Sequence, residues 1–272
     1  MYKEYWKFEI IPFQNTPDPR FFYPSPQHDE ALSRLLYAVQ QKVGAAMLTG
    51  TFGCGKTLLG KTLLKRLIGE KYKIAFVKNP QLDYTDFLVT IIKELGGGEN
   101  FPTKKSDVMV SLVLEELKTI LHNNARDGRE TIIIVDEAHV IKDALVLEGL
   151  RLLLNFELDD QFLLTLLLFG QPELKARVEQ FKPLSQRIGI KCHLDHLGEE
   201  DTRNYILYRL KAAGRTEPIF TDEAIQLIYD HTGGIPRNIN SLCDLCLLSG
   251  FGKRVVEIDK QIVQDEVSEG SS

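Results

Sequence analysis

Hydrophobic positions in the first two thirds of the chain form short apolar runs separated by longer segments with helical spacing. The apolar runs are predicted to be strands, at residues 45–48, 74–77, 131–135 and 163–169. The segments before and between them are predicted to be helices, at residues 27–42, 57–68, 84–94, 105–123 and 144–156. Strands that are buried on both faces read as continuous apolar runs. The pattern therefore predicts a three-layer αβα core with a parallel sheet.

After Leu197 the strand-like pattern stops, and a small all-helical domain is predicted. Its helices are expected at residues 199–213, 221–231, 237–249 and 259–266. Thr221 and Asp259 are predicted N-caps, because their side-chain oxygens can accept a hydrogen bond from the first turn. The expected domains are an amino-terminal arm and helix (1–43), a core (44–196), a helical lid (197–267) and a flexible tail (268–272).

Composition narrows the class of protein without naming a partner. The chain has 272 residues, of which 43% are hydrophobic, and its formal net charge is -5. That charge provides no overall attraction to nucleic acid or to an anionic membrane. No run approaches the ~20 apolar residues of a membrane span, the first residues lack a secretory signal pattern, and four cysteines favour a reducing compartment. A cytoplasmic location is therefore expected, without direct membrane insertion.

A glycine-rich loop follows the first predicted strand and leads into a helix. Gly50, Gly53 and Gly55 allow the backbone to curl so that successive N–H groups point at phosphate oxygens. Lys56 is expected to neutralise the β- and γ-phosphates of ATP, and the Thr57 hydroxyl to bind Mg²⁺. The predicted nucleotide-binding residues of this loop are Gly50, Thr51, Phe52, Gly53, Cys54, Gly55, Lys56, Thr57 and Leu58.

A second motif places two acids directly after the apolar strand 131–135. A buried strand delivers such residues to the sheet edge where ligands bind in α/β folds. Asp136 is predicted to coordinate Mg²⁺ through water. Glu137 is predicted to orient the water that attacks the γ-phosphate.

Phosphoryl transfer also requires positive charge close to the reacting phosphate. Arg187 is a candidate to supply it from a neighbouring subunit, and Arg237 from the helical lid of the same subunit; a surface salt bridge is the alternative for each. Gln171, just past the fourth predicted strand, is a candidate sensor of the γ-phosphate, or simply an amide in a turn.

Several segments together resemble the ExeA/GspA group of AAA+ ATPases, over residues 2 to 265. Besides the loop, the matching segments are 12–13, 16–21, 135–138, 170–174, 186–188 and 234–237. The resemblance implies an αβα ATPase core, a helical lid, and rings or filaments with ATP between subunits. Members of the group and its relatives act in secretion-pore, pilus and polysaccharide-system assembly, and in DNA transposition as TniB/TnsC-type regulators.

The chain departs from the group at two positions. His139 stands where the group usually has Gln, and Cys54 stands where a small Thr, Ser or Ala is more common. The secretion members carry a transmembrane span and a peptidoglycan-binding domain after the ATPase, and neither is predicted here. A membrane role is therefore expected to run through a partner, placing the chain peripheral to the inner membrane.

Smaller signals leave alternatives open. Cys54 is either a passive small residue or a thiol with a lowered pKa beside Lys56. Cys243 and Cys246 are core residues or, with Cys192 and His193, a zinc site. Tyr5, Phe8 and Phe13 either anchor the arm or stack on adenine or a neighbouring subunit. A basic run is a solvated face or a DNA or partner surface, and it contains Lys61, Lys65, Arg66, Lys71 and Lys73.

Two main functions are therefore in competition, and a nucleotide-dependent scaffold for an envelope apparatus is a third possibility. The first is an oligomeric ATPase that remodels or licenses an unidentified protein partner. The second is an ATP-dependent DNA-binding regulator of transposition. Both require ATP and Mg²⁺ at the loop.

Overall fold

A computed structural model of the chain describes residues 2–67, 69, 71–99, 101–102, 108–158 and 161–270. These residues form two compact units. The sheet unit takes the described parts of Glu30–Gly50 and Leu63–Leu194. The helical unit takes the described parts of Met1–Asp29, Thr51–Thr62 and Asp195–Ser272. The glycine-rich loop beyond Gly50 therefore belongs to the helical unit.

The strands are β1 (Ala45–Gly50), β2 (Tyr72–Val77), β3 (Glu130–Val135), β4 (Glu157–Leu158), β5 (Gln161–Phe162), β6 (Leu164–Gly170) and β7 (Ile188–Leu194). The main helices are α1 (Tyr2–Tyr5), α2 (Pro26–Gln40), α3 (Lys56–Arg66), α4 (Tyr84–Glu94), α5 (Val110–Arg126), α6 (Ala144–Leu153), α7 (Pro172–Gln180), α8 (Lys182–Ser185), α9 (Glu199–Ala212), α10 (Asp222–Thr232), α11 (Pro236–Lys253) and α12 (Lys260–Gly270).

The main sheet is parallel, in the order β2-β3-β6-β1-β7. Its central strands β1 and β6 are buried at every position, as their continuous apolar runs predict. Apolar side chains from these strands and from the helices form one core, with Met47, Ile133 and Leu166 almost completely buried. The predicted three-layer α/β class is confirmed.

One strand of this sheet was not predicted. In β7 buried and exposed positions alternate along much of the strand, because it lies at the sheet edge and pairs only with β1. Lys191 and His193 therefore interrupt the apolar run that marks the central strands. The helix expected at 144–156 ends at Leu153, and the short antiparallel pair β4 and β5 follows.

The helix expected at 105–123 is α5, which begins at Val110; residues 103–107 lie outside the described part of the chain. Both predicted N-caps are confirmed. The Ala224 amide donates to the Thr221 hydroxyl at 3.2 Å, and the Ile262 amide donates to the Asp259 carboxylate at 3.0 Å. Helix α12 extends to Gly270, and Ser271 and Ser272 lie outside the described residues.

The amino-terminal arm packs into the core of the helical unit. Trp6 is 1% exposed and donates its ring N–H to the Leu247 carbonyl at 2.9 Å. Phe13 packs edge-on against Phe220. For Phe8 and Phe13, which are buried in this core, the interpretation as anchors is thus confirmed. Among the described residues, no helix combines the length and the apolar character that a bilayer-spanning segment requires.

Candidate nucleotide-binding site

The glycine-rich loop has the backbone conformation that its glycines allow. Gly53 and Gly55 have φ angles of +82° and +99°, in the left-handed region that side chains disfavour. A Cβ atom on Gly53 would also lie 2.8 Å from the Cβ atom of Arg237. Any larger residue at position 53 would therefore strain the backbone and displace a helix residue that packs on the loop.

Lys56 is buried inside the curl of this loop. The residue is only 5% exposed, and its ammonium group donates a hydrogen bond to the Thr51 carbonyl at 2.9 Å. Helix α3 begins at Lys56, so Thr57 lies in its first turn. The first amides of a helix have no partner within the helix and carry partial positive charge. The loop, the ammonium group and the helix start together suit a polyphosphate.

Cys54 is completely buried beside Lys56. Burial raises the pKa of its thiol, and this effect outweighs the opposing influence of the Lys56 ammonium. The alternative of a thiol with a lowered pKa is therefore wrong. Cys54 acts as a small packing residue.

Arg237 contacts the loop from the start of helix α11. Its backbone N–H donates to the Gly53 carbonyl at 3.3 Å, and its guanidinium carbon lies 4.6 Å from the centre of the Phe52 ring. Phe52 is 58% exposed. The structure thus brings Arg237 together with the predicted phosphate-binding loop, within the helical unit.

Two histidines support the loop, and sequence reasoning missed both. The Nε2 atom of His28 lies 2.9 Å from the Cys54 carbonyl, and its Nδ1 atom lies 2.7 Å from the Ser25 hydroxyl. Burial lowers the pKa of His28, which favours a neutral ring that donates to Cys54 and accepts from Ser25. His196 Nε2 lies 3.0 Å from the Thr51 hydroxyl. No local pattern marks either residue.

A pocket adjoins the same loop within the helical unit. It is lined by apolar and aromatic side chains and by the His28 ring, and its lining includes Phe22, Tyr23, His28, Leu58, Leu197 and Pro236. Such a surface suits a flat heterocycle better than a charged group.

In the sheet unit, the carboxyl ends of three adjacent strands meet at one edge. Strand β6 lies between β1 and β3, with Thr49 opposite Gly170 and Val135 opposite Leu168. Strand β1 leads into the glycine-rich loop, β3 is followed by Asp136, and β6 is followed by Gln171. The predicted delivery of the acidic pair to this edge is confirmed.

Asp136 is 4% exposed and is held by hydrogen bonds with the backbone of two other residues. Its N–H donates to the Val77 carbonyl at 2.9 Å, and its carboxylate accepts from the Glu137 N–H at 3.0 Å. Glu137 has a left-handed backbone, with φ 53° and ψ 32°, and caps a 3₁₀ turn at Ala138–Val140. That conformation is uncommon for a residue other than glycine.

His139 connects the acidic pair to the next strand end. Its Nδ1 atom lies 3.2 Å from the Glu137 carboxylate and 3.4 Å from the backbone nitrogen of Gln171. Gln171 is the N-cap of α7, and its side chain makes no capping hydrogen bond there. The departure of His139 from the usual Gln therefore lies within this part of the site.

Arg187 lies immediately before strand β7 and pairs with groups of its own chain. Its guanidinium is 3.5 Å from the Glu157 carboxylate and 3.3 Å from the Asn155 side-chain oxygen. The guanidinium-bearing side chain is 38% exposed. This is the surface ion pair named above as the alternative for Arg187, and a role towards a second subunit stays a prediction.

The remaining cysteine signals belong to cores. Cys243 and Cys246 are completely buried among apolar side chains of the helical unit. Burial raises the pKa of both thiols, that of Cys246 to about 12. Their position among apolar side chains agrees with the interpretation as core packing. In the basic run, Lys71 pairs with Glu130 at 3.1 Å.

Comparison with known proteins agrees with these motifs. Residues 39–178, slightly more than half of the chain, match the family model of the AAA domain. General secretion pathway protein A of Aeromonas hydrophila is 37% identical to this chain over 273 residues. The match covers 98% of this chain and 49% of that protein. The chain thus spans about half the length of this relative.

Solved structures share the fold at low sequence identity. The Aeropyrum pernix ORC2 protein, in ADPNP-ADP complexes, superimposes with a TM-score of 0.72 at 20% identity, covering 95% of this chain and 71% of that one. Drosophila ORC bound to DNA gives 0.72 at 15%, covering 96% and 64%. A RuvB mutant of Thermotoga maritima gives 0.60 at 19%, covering 91% and 70%.

The family match covers the first four strands of the main sheet, and with them the glycine-rich loop and the acidic pair. The chain therefore belongs to the AAA family of P-loop ATPase domains, and the resemblance of its motifs to the ExeA/GspA group is confirmed.

Proposed function

We propose that this chain binds ATP with Mg²⁺, hydrolyses it, and works as an oligomer on a secretion-related complex. The observation that carries the proposal is the buried Lys56 ammonium inside a loop of left-handed glycines at the start of α3. This arrangement has the chemistry of a polyphosphate site. The AAA-domain match supports the choice of ATP as the nucleotide.

The proposed metal site consists of the Thr57 hydroxyl and the Asp136 carboxylate. Both are hard oxygen donors of the kind that Mg²⁺ prefers, and Asp136 is held in place by two backbone hydrogen bonds. Bound Mg²⁺ would neutralise negative charge on the β- and γ-phosphates. Lys56 would do the same from the loop, and Gln171 would contact the γ-phosphate.

Glu137 is proposed to orient the attacking water. It follows Asp136 at the carboxyl edge of the sheet, and its side chain is partly exposed, at 36%. A carboxylate there can accept a hydrogen bond from water. Arg237 would add positive charge from the helical unit, because its backbone already contacts the loop.

The pocket lined by Phe22, Tyr23 and the His28 ring is proposed to hold the adenine base, and its cavity of about 30 Å³ would have to widen to admit the ring. Aromatic and apolar walls favour a flat heterocycle, and the loop residues Cys54 and Gly55 form part of the same lining. One unit would then hold both the base and the phosphate-binding loop.

Oligomerisation and the partner belong to the same proposal. Arg187 is proposed to reach the nucleotide of a neighbouring subunit after leaving Glu157 and Asn155. The relative at 37% identity is named for general secretion, which favours assembly or licensing of a secretion complex from the cytoplasmic side. The alternative of ATP-dependent DNA binding has weaker support, because the structure described as bound to DNA is 15% identical and shares the fold alone.

The proposal is tested by separating nucleotide binding from turnover. Lys56→Ala should abolish binding of a fluorescent ATP analogue, because it removes the buried ammonium. Glu137→Gln should bind with unchanged Kd while phosphate release falls by roughly 10²-fold or more. Wild-type turnover in Glu137→Gln would refute the role of this carboxylate, and failure of the wild-type protein to bind ATP with Mg²⁺ would refute the whole proposal.

The intersubunit role of Arg187 has its own test. Arg187→Ala should bind ATP normally but lose turnover, and a mixture with Lys56→Ala should recover part of the activity. Recovery is expected because a Lys56→Ala subunit can still present Arg187 to a neighbouring Arg187→Ala subunit, whose own phosphate-binding loop is unchanged. If Arg187→Ala alone keeps wild-type turnover, the arginine is only a surface ion pair.

A further inference from the structure

One ring nitrogen of His139 faces two partners that require opposite things from it. The carboxylate oxygen of Glu137 lies 3.2 Å from Nδ1, and the backbone nitrogen of Gln171 lies 3.4 Å from the same atom. Nδ1 can form a hydrogen bond with the Glu137 carboxylate only when it carries a proton to donate. It can accept a hydrogen bond from the Gln171 N–H only when it carries a lone pair instead.

A neutral imidazole satisfies these partners one at a time. With its proton on Nδ1, the ring donates to Glu137 and has no acceptor for Gln171. With its proton on Nε2, the ring accepts from Gln171 and loses its hold on Glu137. The two forms differ in the position of one proton, which the ring exchanges with water, and the net charge of the ring does not change.

The surroundings allow little other movement of this turn. The His139 side chain is only 15% exposed. At the end of β6, a Cβ atom on Gly170 would lie 3.1 Å from the His139 backbone nitrogen and 2.8 Å from the Leu174 side chain. The turn after the acidic pair and the start of α7 are therefore packed without spare room. A shift of the Gln171 backbone would displace His139 as well.

We propose that His139 is a positioning residue that couples the γ-phosphate sensor Gln171 to the water-orienting carboxylate Glu137. When Gln171 engages the γ-phosphate, its N–H withdraws from Nδ1, and the ring then donates to one oxygen of Glu137. The other carboxylate oxygen faces the water. When the γ-phosphate leaves, the Gln171 N–H returns to Nδ1 and the hold on Glu137 is lost.

This inference rests on the proposed function, because it takes Glu137 as the group that orients water. It adds a role for a residue outside the phosphate-binding loop and the acidic pair. It also gives a physical reason for the spacing of Glu137 and His139, since a left-handed residue followed by a 3₁₀ turn brings the ring back over the carboxylate.

Three variants test the coupling by turnover and affinity together. His139→Ala removes the donor, so kcat should fall about tenfold, the effect of losing one charge-assisted hydrogen bond at the reacting group. Its Kd for ATP should stay within about twofold, because the phosphate-binding loop is untouched. His139→Gln should keep kcat within about threefold of wild type, since an amide N–H can replace the ring N–H.

The matched control is His231→Ala, which removes an exposed histidine from the last turn of α10. It should leave both kcat and Kd unchanged. Wild-type kcat in His139→Ala would overturn the inference. So would an equal loss in His139→Ala and His139→Gln, because that result would indicate a requirement for the ring shape rather than for a donor.

A spectroscopic measurement tests the tautomers directly in the wild-type protein. Proteins labelled with ¹⁵N-histidine are compared with ADP and with ADP plus beryllium fluoride, and the His139 signals are assigned by their absence in His139→Gln. We expect Nδ1 to carry the proton with beryllium fluoride and to lose it with ADP alone. The same tautomer in both complexes would overturn the coupling.

The two proposals fail separately. If the wild-type protein hydrolyses ATP and Glu137→Gln does not, the proposed function stands whatever His139 does. A normal His139→Ala enzyme against that background removes only the coupling.

Discussion

Two adjacent glycines before helix α11 provide a matched test of how the helical unit holds Arg237 against the loop. Gly233 and Gly234 both have left-handed backbones, with φ angles of +59° and +72°. A Cβ atom on Gly233 would have nothing within 4 Å, whereas a Cβ atom on Gly234 would lie 1.9 Å from the Leu197 carbonyl oxygen. The same Gly→Ala change therefore meets open space at one position and backbone at the next.

The free energies follow from these environments. Gly233→Ala should cost about 1–2 kcal/mol, the penalty of a left-handed alanine. Gly234→Ala carries that penalty together with about 1–3 kcal/mol for an overlap that no side-chain rotation relieves. It also weakens the hydrogen bond from the Leu197 N–H to the Gly234 carbonyl, which measures 2.9 Å and contributes about 1 kcal/mol. The expected total for Gly234→Ala is about 3–6 kcal/mol.

Urea denaturation followed by tryptophan fluorescence measures the difference. The chain has one tryptophan, Trp6, and it is buried in the core of the helical unit. With a slope of about 2 kcal/mol per molar urea, Gly234→Ala should unfold at least about 1 M below Gly233→Ala. ATP affinity should fall more in Gly234→Ala as well, because this turn leads into Pro236 and Arg237.

Equal midpoints for the two variants would refute the reasoning. That outcome would mean that the turn relaxes away from Leu197 at no cost, and that the contact between Arg237 and the loop does not depend on the closely packed glycine.

Other consequences are open to direct measurement. Arg209 is 2% exposed and donates hydrogen bonds to the Pro12 and Gln14 carbonyls. Arg209→Ala should therefore lower the free energy of unfolding by about 3 kcal/mol or more. A loss of only roughly 0–1 kcal/mol, the value expected for an exposed ion pair, would contradict this. Burial lowers the pKa of His28, so the unfolded chain binds a proton that the folded chain resists, and stability should fall as pH drops below about 6.5. Urea titrations at several pH values should show a shallower decline in His28→Asn, and parallel declines would exclude this residue as the cause. Because Cys54 is buried and its thiol pKa is raised, thiol reagents should modify it only at the rate of local unfolding, and rapid labelling of the native protein would contradict that packing.

Much of the fold and of the phosphate-binding loop was predictable because their determinants are local. A central strand buried on both faces is apolar at nearly every position, so β1, β3 and β6 can be recognised from short runs. The phosphate-binding loop can be recognised from sequence because its backbone curvature requires glycine at particular positions and because Lys56 follows them directly. The N-caps at Thr221 and Asp259 depend on hydrogen bonds that reach only three residues along the chain.

Tertiary structure decided whatever depends on partners distant in sequence. The edge strand β7 is a strand because β1 offers it a hydrogen-bonding edge, although its own pattern is mixed. His28 supports the loop only because folding brings it to Cys54, and Arg187 meets Glu157 only because folding brings the start of β7 close to β4. The relation of His139 to Gln171 spans 32 residues. Local periodicity indicates which side chains are buried, but it carries no information on which polar groups come into contact after folding. Those contacts determine where the functional side chains lie.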